Sequence, residues 1–212
     1  MKFLFLLFYS GTLSIAFAQS EFNTQLADSL KKVLDTDQKY RLQIDSVQYN
    51  FGKNSEELNA LWKTIKENDS LNQLVVLAIL DEHGWLGEEI VGDEGNSALF
   101  LVIQHSKLAV QEKYLPMMRE AVANQNAEAS SLALLEDRVA LRRGGRQIYG
   151  SQIGYDKVKE RYYVMPLDDP DHVNERRTSV GLPPLQEYIS MWGLKWNSRK
   201  YKKQLPYLET LE

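Results

Sequence analysis

The chain has 212 residues, a formal net charge of -4, 43% hydrophobic residues and no cysteine. Without cysteine there are no disulfides, thiolate metal ligands or cysteine nucleophile, and the mild acidity argues against nucleic acid as a general partner. The length is ordinary for one domain with a sizeable core.

Lys2, the apolar run from Phe3 to about Ile15 and the small-x-small sequence Ala16-Phe17-Ala18 have the layout of an export signal. The run is shorter than the roughly 20 apolar residues a membrane helix needs. Residues 1–18 are therefore expected to be cleaved before Gln19, leaving a secreted or periplasmic protein with no membrane span. No cysteine follows the cut to carry a lipid.

From Glu21 to about Gln48 apolar residues recur three or four apart, Phe22, Leu26, Leu30 and Val33 and then Tyr40, Ile44 and Val47, which predicts two helices broken at Asp35-Thr36-Asp37. Asn54 with Glu57 resembles a capping box before Leu58, Leu61, Trp62 and Ile65. Asp69 or Ser70 is expected to cap a further helix that stops at Gly84. His83, just before that stop, is explained by the negative end of the helix dipole. Gly84 to Gly95 reads as an ordered loop anchored by Trp85.

Ala98 to Ile103 is apolar without interruption, a pattern shared by buried helices and buried strands. Asp93, placed as an N-cap, favours a helix from about Asn96 to His105. Gln104 and His105 then end a central helix, where polar groups need partners. A helical pattern resumes at Leu108 with Tyr114, Leu115, Met118 and Val122, and Pro116 should kink it or begin a new helix.

After the polar stretch Asn124 to Ala129, Ser130 or Ser131 is expected to cap a helix carrying Leu132, Leu135 and Val139 beside Glu136, Asp137 and Arg138. Adjacent helical residues point about 100° apart, so Asp137 and Arg138 must find partners on other elements. Beyond Gly144-Gly145, the β-branched and aromatic content of Arg146–Ile153 and Arg161–Val164 predicts a hairpin with residues 154–159 as its loop. Asp169-Pro170 looks like an N-cap followed by the first helical residue of a short helix ending at Gly181. Pro183-Pro184 starts a last helix with Leu185, Tyr188, Ile189 and Trp192 on one face. Lys195 to Lys203 interleaves basic residues with Trp196 and Tyr201 and reads as a solvated, partly docked tail able to touch an anionic lipid or glycan.

The words Gly84-Trp85, Gln104-His105, Tyr114-Leu115-Pro116, Leu135-Glu136-Asp137-Arg138, Gly145 with Gln147, Tyr149-Gly150-Ser151-Gln152, Leu167-Asp168-Asp169-Pro170 and Arg176-Arg177 through Gly181-Leu182 occur in this order. In them the chain resembles an uncharacterised bacterial domain-of-unknown-function family over about Asp69 to Ile189. The resemblance implies shared ancestry and carries no activity or catalytic residue with it. The segments before Asp69 and after Trp192 lie outside it.

These readings describe a mainly α, single-domain irregular bundle of about eight helices with one small β-hairpin. Its expected parts are an N-terminal helical region over 19–68 packed on a core over 69–192, and a basic-aromatic tail over 193–212. A polar pocket is expected from Gln104, His105, Asp137, Arg138, Gln147, Tyr149 and Gln152. The leading function is a binding or interaction domain for a small-molecule, peptide or envelope ligand. Arg138, Arg142, Arg143 and Arg146 suit an anionic group, or alternatively offset a helix dipole. The rival is a small hydrolase of an envelope polymer or peptide. There His105 is acid or base, Asp137 orients it, Arg138 or Gln147 stabilises negative charge, and Ser151 is the only nearby serine to weigh as nucleophile.

No cofactor is expected. His83, His105 and His172 could meet Asp137 or Asp168 at a metal, but the paired-histidine zinc spacing is missing, so none is assigned. A neutral, exposed His172 in the first turn of its helix is the expectation.

Overall fold

A computed structural model describes residues 21–211; the export signal expected over residues 1–18 lies outside them. Among the described residues the architecture is mainly helical with one two-stranded antiparallel hairpin. No helix of those residues is long and apolar enough to cross a membrane.

Helix α1 (Thr24–Arg41) begins where the Asn23 side chain accepts the Leu26 N–H at 3.1 Å, and it buries Leu30 and Val33. The break expected at Asp35–Asp37 is absent, and the chain turns only at Leu42-Gln43 before α2 (Ile44–Phe51). Asp37 does not end the helix because its carboxylate is held by side chains of Arg41 and His105 instead of capping backbone.

Helix α3 (Glu56–His83) is capped by Ser55, not Asn54, and runs without interruption through Asp69-Ser70. Arg41 takes the Asp69 carboxylate and the Ser70 hydroxyl donates to the Lys66 carbonyl, so neither caps a new helix. Gly84, at φ 71°, ends it as expected.

The expected loop over 84–95 is largely helical. Helix α4 (Glu88–His105) makes one turn, breaks at Gly92 (φ 74°, ψ 170°) and then continues, so Gly92, not Asp93, opens its second leg. Trp85 is buried as an anchor, and the Asn96 amide donates to the carbonyls of Leu86 and Asn126, each at 2.7 Å. The apolar run Ala98–Ile103 is helical and mostly buried, packed along α1.

Helix α5 (Leu108–Ala123) passes through Pro116 without ending. Helix α6 (Ala129–Arg142) is entered from Glu128, with Ser130 and Ser131 inside it. Together α1, α3, α4, α5 and α6 enclose the first hydrophobic cluster, centred on Leu30, Val76, Leu99, Ile103, Met118 and Leu135.

The hairpin is shorter than its sequence pattern. Strands β1 (Ile153–Asp156) and β2 (Arg161–Val164) pair with Ile153 opposite Val164, while residues 146–152 form a loop joined to Leu167 by a single bridge at Gln147. Helix α7 (Val173–Ser179) starts three residues beyond Pro170, because Asp169, at φ 39°, turns its carboxylate to His172 and Arg176.

Helix α8 (Leu185–Ile189) follows Pro184 and runs into a 3-10 turn, Ser190–Trp192. The expected solvated tail is instead a helix, α9 (Ser198–Leu208), which buries Tyr201 and Leu208 in a second cluster with Val164, Leu167, Leu185 and Ile189.

Candidate functional site

The polar pocket expected from seven residues separates into two structures with Arg138 standing between them. The first is a knot around the loop 147–152. Asp137 is fully buried on α6, and its Oδ1 accepts the N–H groups of Ile148 (2.6 Å) and Tyr149 (2.9 Å) while Oδ2 accepts that of Ser151 (2.9 Å). Burial raises the Asp137 pKa, against the pull of these three amide donors.

Gln147, also fully buried, accepts the Gln152 N–H and donates to the carbonyls of Gln152 and Met165. Arg177 closes the knot from α7 by donating to the carbonyls of Tyr149 (2.8 Å) and Pro183 (2.6 Å). Gly150 takes φ 73° there, and a side chain on it would meet Leu185 at 3.1 Å. This explains the Tyr-Gly-Ser-Gln word as a turn in which the N–H and carbonyl groups of Tyr149, Ser151 and Gln152 are paired.

Three expected roles therefore change. Asp137 orients a loop, not His105. Gln147 spends its amide on the backbone, so it has none left for a developing anion. Ser151 is 4% exposed and its hydroxyl accepts from Gln152, so it is withdrawn from solvent instead of presented as a nucleophile. Tyr149 lies half-buried at the edge of the knot, its pKa raised by burial and then by the charges of Glu136 and Asp137.

The second structure holds His105. Its Nδ1 is 3.0 Å from Oδ1 of Asp37, a carboxylate that is 2% exposed and lies 68 residues earlier in the chain. The Gln38 amide donates to Asp37 Oδ2 at 2.7 Å, and Arg41 Nη1 donates to Oδ1 at 3.1 Å. Arg41 Nη2 then reaches both oxygens of Asp69, at 2.8 and 2.9 Å. Burial would raise the Asp37 pKa, but the hydrogen bond and charge of His105 and the charge of Arg41 outweigh it and hold the group below its ordinary value. His105 itself keeps 21% of its side chain exposed.

Asp37, Arg41 and Asp69 were missed by sequence reasoning. The Asp37–Arg41 spacing of four on one helix was a usable signal; the tertiary pairing to His105 was not.

Arg138 makes no hydrogen bond or ion pair with any described residue, and its Nε is buried without an acceptor. Its pKa is lowered by burial, and further by the neighbouring charges of Arg142 and Arg41, while Tyr188 on the knot side acts in the opposite sense. Arg142 donates to the Ser106 carbonyl at 2.8 Å, directly after His105. On the adjoining helices the Oε1 atoms of Gln104 and Gln111 are also buried without a donor, although the Gln111 amide donates to the Gln104 carbonyl. A buried polar group left unpaired costs about 1–3 kcal/mol, so each of these atoms is suited to a polar partner. A cation cluster with an unused donor can hold an anion, and a histidine fixed through Nδ1 by a buried carboxylate can accept or give a proton at Nε2.

The three histidines do not converge. Among the described residues His83 approaches only Glu82, at 3.8 Å, and the exposed His172 pairs with Asp169 at 2.9 Å. That pairing raises the His172 pKa; His172 is the N-cap residue of α7, just outside the first helical turn expected for it. Among the described residues no group of three or more His, Asp or Glu side chains is placed to hold a metal ion.

A family of unknown function (DUF6624) has a model that matches residues 24–197. The matched span takes in α1, α2 and the first part of α3, which the shorter resemblance from Asp69 did not reach. It stops one residue before α9. Searches of curated proteins and of solved structures gave no match.

Proposed function

The chain belongs to this family of unknown function, and we propose that it is an exported binding domain that holds an anionic group of its ligand at Arg138. The observation carrying this reading is the guanidinium of Arg138, largely withdrawn from water beside Arg41 and Arg142, with its Nε unsatisfied and no carboxylate spent on it. Nearby, Arg41 is paired with Asp37 and Asp69, and Asp37 also meets His105. A carboxylate or phosphate presenting two oxygens would complete the hydrogen bonding of Arg138. Export is supported by Lys2, the apolar run after it and Ala16-Phe17-Ala18. N-terminal sequencing of the protein recovered from outside the cytoplasm tests it, with Gln19 expected first.

The binding test is a titration with inorganic phosphate and with acetate, read by the Arg138 Nε–H resonance and by the melting temperature. A ligand that binds only the folded state raises stability by about 2.7 kcal/mol at 100 times its Kd. Wild-type protein should show a saturable shift of the Arg138 signal with at least one anion, and Arg138→Met should show none. That variant should melt no lower than wild type, since an apolar side chain of similar length removes an unpaired buried charge. A loss of folding in Arg138→Met, or an Arg138 signal that neither anion moves, would overturn the reading.

A second reading, hydrolysis of an envelope polymer or peptide, is favoured by one observation, the His105–Asp37 pair with His105 partly open to solvent. It requires release of soluble fragments from cell-wall material at a rate that His105→Gln abolishes. Unchanged release in that variant, or none in wild type, removes it.

A further inference from the structure

A cleft of about 300 Å³ lies between β2 and α9, in the second hydrophobic cluster and away from the Arg138 region. Its floor is apolar, with Val164, Ile189 and Leu208, and its walls carry the rings of Tyr162 and Trp196. Arg161, Lys195 and Lys200 stand around it, and no Asp or Glu is among the residues that line it. In a chain of net charge -4, three cations gathered around an aromatic cleft without one carboxylate are a local inversion of charge. Among the described residues none of the three forms an ion pair, whereas Lys31, Lys113, Lys202 and five arginines do.

We propose that this cleft binds a small organic anion with a planar aromatic body. The volume sits at the lower end of the range of ligand pockets, about 300–1,000 Å³, which suits one or two fused rings and excludes a long polymer within the cleft. An indole and a phenol ring offer faces for stacking, and the cations offer contacts to a carboxylate, sulfonate or phosphate on the same molecule. A neutral sugar could stack on the rings but would leave the three cations unused. The site depends on α9, which follows the residues matched by the family. It is independent of the proposal for Arg138.

The test uses anilinonaphthalene sulfonate and phenylnaphthylamine, which share a ring system and differ in the sulfonate. Wild-type protein should bind the sulfonate at a single saturable site, quenching tryptophan emission as energy passes from Trp196, and should bind the neutral amine at least about tenfold more weakly, the effect of about 1.4 kcal/mol. A Lys195→Glu, Lys200→Glu double variant, both positions being exposed, should lose at least about tenfold in sulfonate affinity. Its far-ultraviolet circular dichroism should be unchanged. The Lys63→Glu, Lys66→Glu variant, altered on a distant face of α3, should bind as wild type does. Equal affinity for the two dyes, sulfonate binding indifferent to Lys195 and Lys200, or binding to phosphatidylglycerol vesicles with none to the soluble dye would each overturn the proposal. The vesicle result would make the same cations a membrane-surface patch.

Discussion

His105 and Asp37 meet at 3.0 Å across the interface of α1 and α4, and the pair joins the N-terminal helix to the most buried helix of the bundle. Asp37 accepts from three side chains, so truncation leaves His105, Gln38 and Arg41 without it. Asp37→Ala should cost about 3–5 kcal/mol, the range for breaking a buried charge pair by removing one partner. The pH dependence follows from the lowered Asp37 pKa. A carboxylate whose folded pKa is depressed contributes stability above its unfolded value, and that contribution disappears as pH falls through the folded pKa. Urea unfolding from pH 7 down to pH 2 should therefore show an acid loss that is reduced in Asp37→Asn. An identical acid profile in the two proteins would show that the pair does not act this way.

Asp137 gives a sharper test because its three partners are backbone amides. Asp137→Asn keeps an oxygen for one side of the loop and presents an NH₂ group to the other, so at least one N–H among Ile148, Tyr149 and Ser151 loses its acceptor. A buried unpaired donor costs about 1–3 kcal/mol. The variant should be less stable by that amount, and hydrogen exchange should quicken at these three amides before it quickens in α4. Exchange that quickens equally in α4 and in the loop would contradict the local role assigned to Asp137.

His172 should titrate above the usual histidine range because of its hydrogen bond to Asp169 and the charges of Asp169 and Glu175. A raised folded pKa means that the contribution is present below the unfolded pKa and is lost as pH rises through the folded value. The pair is exposed and screened by solvent. The measurement is the proton resonance of the His172 ring against pH, where Asp169→Asn should bring the midpoint down. A midpoint indifferent to that substitution would show that the pair is not populated in solution.

The helical class and the small hairpin were legible because long runs such as Leu26–Val33 and Leu132–Val139 repeat at helical spacing, and because Gly84 stops a helix by its conformation alone. Boundaries failed wherever a polar residue that could cap a helix was engaged elsewhere. Asp37 and Asp69 look like caps until Arg41 and His105 are brought to them; Asp169 looks like one until His172 turns back to it.

The candidate site was legible as a set of residues and not as an arrangement. Gln104, His105, Asp137 and Arg138 were named from the expectation that buried polar groups need partners. Which partner each one takes depends on contacts between distant segments, and sequence spacing carries no record of them.

The C-terminal helix shows the same limit and supplies the last prediction. Lys195 to Lys203 contains too few apolar residues in too many charges to look packed, yet α9 spends its apolar residues on one face. Leu208 is 3% exposed in the second cluster, and the Tyr201 hydroxyl donates to the Met165 carbonyl. The Tyr207 hydroxyl donates at 2.7 Å to Asp156, whose other oxygen accepts the Val158 and Lys159 N–H groups in the hairpin turn. The ring of Tyr207 also carries Lys159 above it, so α9 and the hairpin are one mechanical unit. Leu208→Ala should cost about 2 kcal/mol, the lower end of the range for such truncations, since a terminal helix can shift to close part of the gap. Hydrogen exchange should rise in α9 and in β2 together while Leu99 and Ile103 in the first cluster keep their protection. Loss of protection in both clusters at once would show that they unfold as a single unit.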